Sequence, residues 1–138
     1  MKVIDPAYVG EDEEPDPKLN ELTNRIIGVL IEVHKALGPG YLESYYERAV
    51  EIEFIARGLR YSRQHSFGVM YKGEVIGEGR LDFLVEDTVI LEMKHVESIG
   101  SAHVATMISY LKANKKPLGI IANFNVKLLK DGLRRIAN

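Results

Sequence analysis

The chain has 138 residues, no cysteine, 18 Lys and Arg against 20 Asp and Glu, and a formal net charge of −2. One core of that size holds together without staples, and the lack of thiols excludes a disulfide framework, a zinc ribbon and a cysteine nucleophile. The longest apolar run, Ile26-Ile27-Gly28-Val29-Leu30-Ile31, stops at Glu32, far short of the ~18 residues of a membrane span, and the start has no secretory apolar region. A soluble, cytoplasmic protein without a membrane partner is expected.

The first 17 residues carry six acids, one base and three prolines, with too little apolar content to pack. They read as a flexible acidic leader, with residues 18–138 as the folded domain. Asp16-Pro17 is an N-cap followed by proline at the first helical position. Leu19, Leu22, Ile26, Val29, Leu30, Val33 and Leu37 then recur at spacings of three and four, as on an amphipathic helix. Gly38-Pro39-Gly40 ends it. A second helix is expected from Leu42 to Arg57, with Gly58 closing it. Phe67–Tyr71 and Glu74–Val85 read as strands joined at Lys72-Gly73, and Glu86-Asp87 turns the chain into Thr88–Lys94. Ser101–Ala113 reads as a third helix and Leu118–Phe124 as a strand, and a turn at Asp131-Gly132 precedes a short element, Leu133–Ile136. The order ααβββαβ plus a terminal element indicates an α/β domain, a mixed sheet covered by helices.

Strand alternation places Ile90, Glu92 and Lys94 on one face of their strand. In the preceding strand Leu81, Phe83 and Val85 share a face, leaving Asp82 beside Leu84, in a run too apolar for an ordinary wetted edge. Pairing through Glu86-Asp87 would set Asp82 across from Glu92, so that two carboxylates and a lysine converge. Mg²⁺ or Mn²⁺ suits such oxygen donors, with water and phosphate completing the shell, and a neighbouring lysine stabilises charge developing on phosphate. The ordinary alternative for this pattern is a cross-strand salt bridge.

The segment Gly40-Tyr41-Leu42-Glu43-Ser44-Tyr45-Tyr46 reads G-x-x-E-x-x-Y, followed at once by Glu47. With Val33-His34-Lys35-Ala36-Leu37-Gly38-Pro39-Gly40, Tyr71-Lys72-Gly73, Asp82, Glu92-Met93-Lys94, Ser109-Tyr110-Leu111-Lys112 and Asn123-Phe124, it resembles the GxxExxY family of the PD-(D/E)XK nuclease superfamily over about residues 19–138. The resemblance implies a restriction-endonuclease-like fold and a divalent metal on Asp82 and Glu92. It also implies Lys94 beside the attacking water and a helix glutamate, Glu43 or Glu47, as a further member of the site. Glu43 and Glu47 lie one turn apart and both stay open. Related nucleases carry Q-x-x-x-Y on the helix after ExK; here Tyr110 matches, but Thr106 stands at the glutamine position.

Residues 98–138 carry seven bases against the single acid Asp131, and Lys112, Lys115 and Lys116 with Tyr110 are candidates for contact with nucleic acid. His103 shares a helix face with Thr106 and Tyr110, so His103 and Thr106 are accessory candidates; His34 reads as structural, and His95 points away from Lys94. Tyr41, Tyr45 and Tyr46 are either core or stacking residues. The expected function is a metal-dependent nuclease, acting on DNA before RNA. The rival is a silent nuclease-fold protein that binds nucleic acid or a protein partner, with a homodimer also open.

Overall fold

The computed structural model describes residues 2–4 and 16–137. In chain order these form β1 (Lys2–Ile4), α1 (Pro17–Leu37), α2 (Glu43–Ala56), β2 (Tyr61–Tyr71), β3 (Glu74–Val85), β4 (Val89–Lys94), α3 (Ser101–Asn114), β5 (Leu118–Asn123), a 3-10 turn (Leu129–Gly132) and β6 (Leu133–Ala137). The strands make one sheet in the order β1-β6-β5-β4-β3-β2. Every neighbouring pair is antiparallel except β4 and β5, which are parallel. A parallel pair needs a crossover, and α3 is that crossover.

The helices begin and end for local reasons. Asp16 accepts hydrogen bonds from the backbone N–H groups of Lys18 (2.8 Å) and Leu19 (3.4 Å), and Pro17 occupies the first turn. At the other end Gly38 takes a φ of 70°, which glycine adopts without steric cost. The buried stripes of α1 (Ile26, Val29, Leu30, Val33) and α2 (Tyr46, Val50, Phe54) pack on one sheet face against Phe83, Val85, Leu91, Met93, Ile120 and Leu133. On the opposite face Met107 and Leu111 of α3 pack against Leu81, Leu84, Ile90, Ile121 and Ile136. Each face thus buries one apolar set, so β4 and β5 are hydrophobic on both sides.

Several expectations are corrected. The β2 strand starts at Tyr61 rather than Phe67, because Ser62, Arg63, Gln64 and Ser66 lie on an exposed edge strand and carry no apolar signal. Lys2–Ile4, inside the segment expected to be flexible, pairs with β6. The rest of that segment, residues 5–15, lies outside the described residues. The terminal element is a strand.

The strict alternation expected along β3 also fails. Phe83 and Val85 pack with α1 and α2, but Leu81 packs with α3. The cause is a kink shared by the β2–β3 pair. Arg63 pairs with Phe83 and His65 with Leu81, while Gln64 and Asp82 between them make no ladder pair, and Gln64 has a φ of 51°. Tyr61 faces α1 and α2 whereas Phe67 faces α3, so both strands change faces at this step. Asp82 therefore sits where the sheet is locally broken.

Candidate active site

The β3–β4 ladder runs from Val85↔Val89 to Phe83↔Leu91 and ends there. One residue further, carboxylates replace the backbone ladder. The Asp82 N–H donates to Oε1 of Glu92 (3.2 Å), and the Met93 N–H donates to Oδ2 of Asp82 (2.8 Å). These reciprocal bonds answer backbone groups that the parting strands leave unpaired, and they fix both side chains beside one another. Asp82 is half-buried and Glu92 is 8% exposed.

Crowding two acids in a dry place shifts their titration. Burial raises both, and the Asp82 charge adds to the effect on Glu92, whose carboxyl is pushed up to about 9. The two carboxyls titrate as a pair, and both are displaced upward by burial. Lys94 opposes these shifts as the nearby positive charge.

The structure separates the two helix glutamates. Glu43 is exposed at the start of α2 and has a raised pKa, first through partial burial and then through the Asp82 charge, with Lys94 acting against it. Its surroundings are thus those of the Asp82–Lys94 site. Glu47, one turn on, is 7% exposed, and its Oε1 accepts from Nε of Arg63 (3.0 Å) and Nε2 of Gln64 (2.6 Å). It still adds negative potential at Asp82, but it is braced by β2. Neither Arg63 nor Gln64 was among the sequence candidates. The run Ser62–Ser66 carries no apolar strand signal, and glutamine is not a residue type that marks a left-handed φ.

From the other face, Glu92 and Lys94 line a small recess of about 60 Å³ together with His103, Thr106, Met107, Tyr110 and Ile121. The α3 candidates His103, Thr106 and Tyr110 do meet the site. Burial first, then the charges of Glu92 and Asp82, raise the pKa of the Tyr110 phenol, whose ring is held edge-on by Phe67 at 5.2 Å. Nδ1 of His103 accepts from the Gly100 N–H (3.0 Å), which assigns its ring proton to Nε2.

The candidate lysines fall elsewhere. Lys112, Lys115 and Lys116 sit at the end of α3 or just past it, toward the start of β5, whereas Lys94 lies at the opposite end of β4. Lys116 is paired with Asp87 at 3.1 Å.

The GxxExxY segment builds the wall behind Glu43. Tyr46 is buried; its hydroxyl donates to the Gly38 carbonyl and accepts from the Tyr41 N–H (3.1 Å). Its ring stacks on Phe124 (4.5 Å) and His95 (6.3 Å), and His95 Nε2 bonds the Pro39 carbonyl at 2.7 Å. Tyr46 is thus a core residue, while Tyr41 and Tyr45 are exposed. His34 is structural: it is buried, with Nε2 on the Val126 carbonyl at 2.9 Å. Asn123 fixes the loop after Lys94 with two bonds to Val96, donating from Nδ2 to its carbonyl (2.9 Å) and accepting its N–H on Oδ1 (3.1 Å).

Among the described residues no three His, Asp or Glu side chains gather as a complete cation cage. The Asp82–Glu92 pair nevertheless fits a hard divalent cation, because Mg²⁺ takes one or two carboxylates and fills its shell with water and phosphate. No helix among the described residues is long and apolar enough to cross a membrane.

A family model described as the PD-(D/E)XK nuclease superfamily matches residues 20–136. No curated protein and no solved structure shows significant similarity to the chain.

Proposed function

Because this chain belongs to the PD-(D/E)XK nuclease superfamily, whose restriction-endonuclease-like mixed sheet it has, we propose that it is a divalent-metal-dependent nuclease of the GxxExxY type, with DNA as its first substrate. The observation that carries the reading is the reciprocal bonding of Asp82 and Glu92 at the point where β3 and β4 part, with Lys94 beside them. Asp82 and Glu92 would hold Mg²⁺ or Mn²⁺, which supplies Lewis acidity toward a phosphate oxygen and acidifies water.

The remaining roles belong to side chains. Lys94 places an ammonium where negative charge builds on the phosphate in the transition state and offers donors that orient the attacking water. Glu43 is the carboxylate from α2 that faces the same space. Glu47 is a brace, tied to Arg63 and Gln64, and acts on the site through its charge. Tyr110, Thr106 and His103 bound the recess on the α3 side and limit what enters it.

The test uses Asp82→Asn and Lys94→Met with single- and double-stranded substrates in Mg²⁺ or Mn²⁺. Asp82→Asn should weaken cation affinity and cleavage together. Lys94→Met should leave the cation bound while turnover falls by about two orders of magnitude or more. A wild type that cuts nothing with either metal, yet binds nucleic acid as well as both variants do, would replace the nuclease with a silent binding protein.

A further inference from the structure

A second concave surface lies on the same end of the sheet as the candidate site. It is a groove of about 440 Å³ between the end of α1 and the segment after β5. Three lysines line it, Lys35, Lys127 and Lys130; all are exposed, no acidic side chain lines it with them, and none is in an ion pair among the described residues. Its floor is apolar, made by Ile31, Leu128 and Leu129, with Leu128 left 53% exposed.

The groove shares a wall with the site. Gly38 borders it, and the next residue, Pro39, is bonded through its carbonyl to His95, the neighbour of Lys94. His34, on the groove's inner side, lies against Phe124 at 6.0 Å, and the Phe124 N–H donates to the Lys94 carbonyl at 3.0 Å. Since β4 and β5 run parallel with Lys94 opposite Asn123, the segment holding Lys127 and Lys130 must leave the sheet at the end where Lys94 stands.

We propose that this groove is a second nucleic-acid subsite, which takes a single strand extending from the scissile phosphate over the Gly38-Pro39-Gly40 loop. The proposal rests on the nuclease reading for the identity of the polyanion, and it adds where the strand goes. Three uncompensated ammonium groups match the repeating phosphates of a backbone. An apolar floor between them matches the sugars and base faces of an unpaired strand, which a duplex hides in its stack. The volume is that of an ordinary small-ligand site and accommodates a nucleotide unit. Lysine rather than arginine is in keeping with sequence-independent contact, as a point charge reads no base edge.

The experiment is fluorescence anisotropy with single-stranded DNA of about ten nucleotides, in Ca²⁺ to avoid turnover, across a salt series. The proteins are wild type, the triple variant Lys35→Gln, Lys127→Gln, Lys130→Gln, and the triple variant with Arg at the same three positions. The Gln variant should bind about tenfold or more weaker, and its log–log salt slope should be shallower by about 2, as three lost contacts to a single strand imply. The Arg variant should keep the wild-type affinity and slope. Equal affinity and slope for Gln variant and wild type would overturn the proposal, as would an equal loss in the Gln and Arg variants. Displacement of the strand by polyglutamate at matched charge would assign the groove to an acidic protein instead. Failure here is separable from failure of the nuclease reading. Wild type that cuts DNA while the Gln variant binds normally removes the groove alone; wild type that never cuts, with the Gln variant weakened, removes the nuclease and keeps the groove.

Discussion

Glu92 is the residue on which the electrostatics of the site turn. Its carboxyl is held up to about 9 by burial and by the Asp82 charge, so between the ordinary glutamate range and that value the folded protein keeps a proton that the unfolded chain releases. A group bound more tightly to its proton in the folded state costs stability as pH rises through this window. Glu92→Gln keeps the shape and removes the titration. Without divalent cations, the variant should match the wild type near pH 4.5 and melt progressively above it toward pH 9. Thermal melts in chelator at several pH values check this, and a gap that stays constant with pH would show that Glu92 is not the proton carrier.

At the scale of elements, the decisive feature is the kink at which β2 and β3 exchange faces. Asp82 leaves its ladder there and becomes free to meet Glu92 and the Met93 N–H, while Gln64 across from it turns to Glu47. The φ of 51° at Gln64 costs a side-chain-bearing residue roughly 1 kcal/mol or more relative to glycine. Gln64→Ala and Gln64→Gly both lose the amide bond to Glu47, so comparison of the two isolates the backbone. The glycine variant should be the more stable by about 1 kcal/mol in chemical denaturation, although glycine in an ordinary strand is the weaker choice. If alanine is instead the more stable, the left-handed kink does not persist in solution.

For the whole molecule, the arrangement sets a carboxylate cluster against a lysine groove at one end of the sheet, with the paired Lys116 and Asp87 at the other. Burial and mutual charge, which raise both carboxyls, make the Asp82–Glu92 pair a load on the global fold that the proposed divalent cation would relieve. A ligand that binds only the folded state stabilises it by mass action, about 2.7 kcal/mol at about 100 times its dissociation constant. Mg²⁺ or Mn²⁺ should raise the wild-type Tm in a concentration-dependent way. Asp82→Asn should start from a Tm at least as high and respond weakly. A wild-type Tm indifferent to both cations up to millimolar concentration would remove the metal from the site.

Much of this was legible in the sequence because it depends on local periodicity and nearest-neighbour pairing. The α1 stripe with its Asp16-Pro17 start, the β3–β4 hairpin that brings Asp82 to Glu92, and the α3 face of His103, Thr106 and Tyr110 all follow from spacings of two, three and four along the chain. Tertiary structure decided what spacing leaves degenerate. Glu43 and Glu47 occupy equivalent places on one helix face, and only the approach of Arg63 and Gln64 from an edge strand ties Glu47 down while Glu43 stays exposed. The basic residues show the same limit. A local charge count took in all seven bases of residues 98–138 alike, and of these Lys112, Lys115 and Lys116 were the candidates; the parallel crossover sends those three to the far end of the sheet, and it joins Lys127 and Lys130 to Lys35 of the first helix, ninety residues earlier, in one groove. Contacts between residues so far apart in sequence are set by the sheet's strand order, which no pattern within either segment encodes.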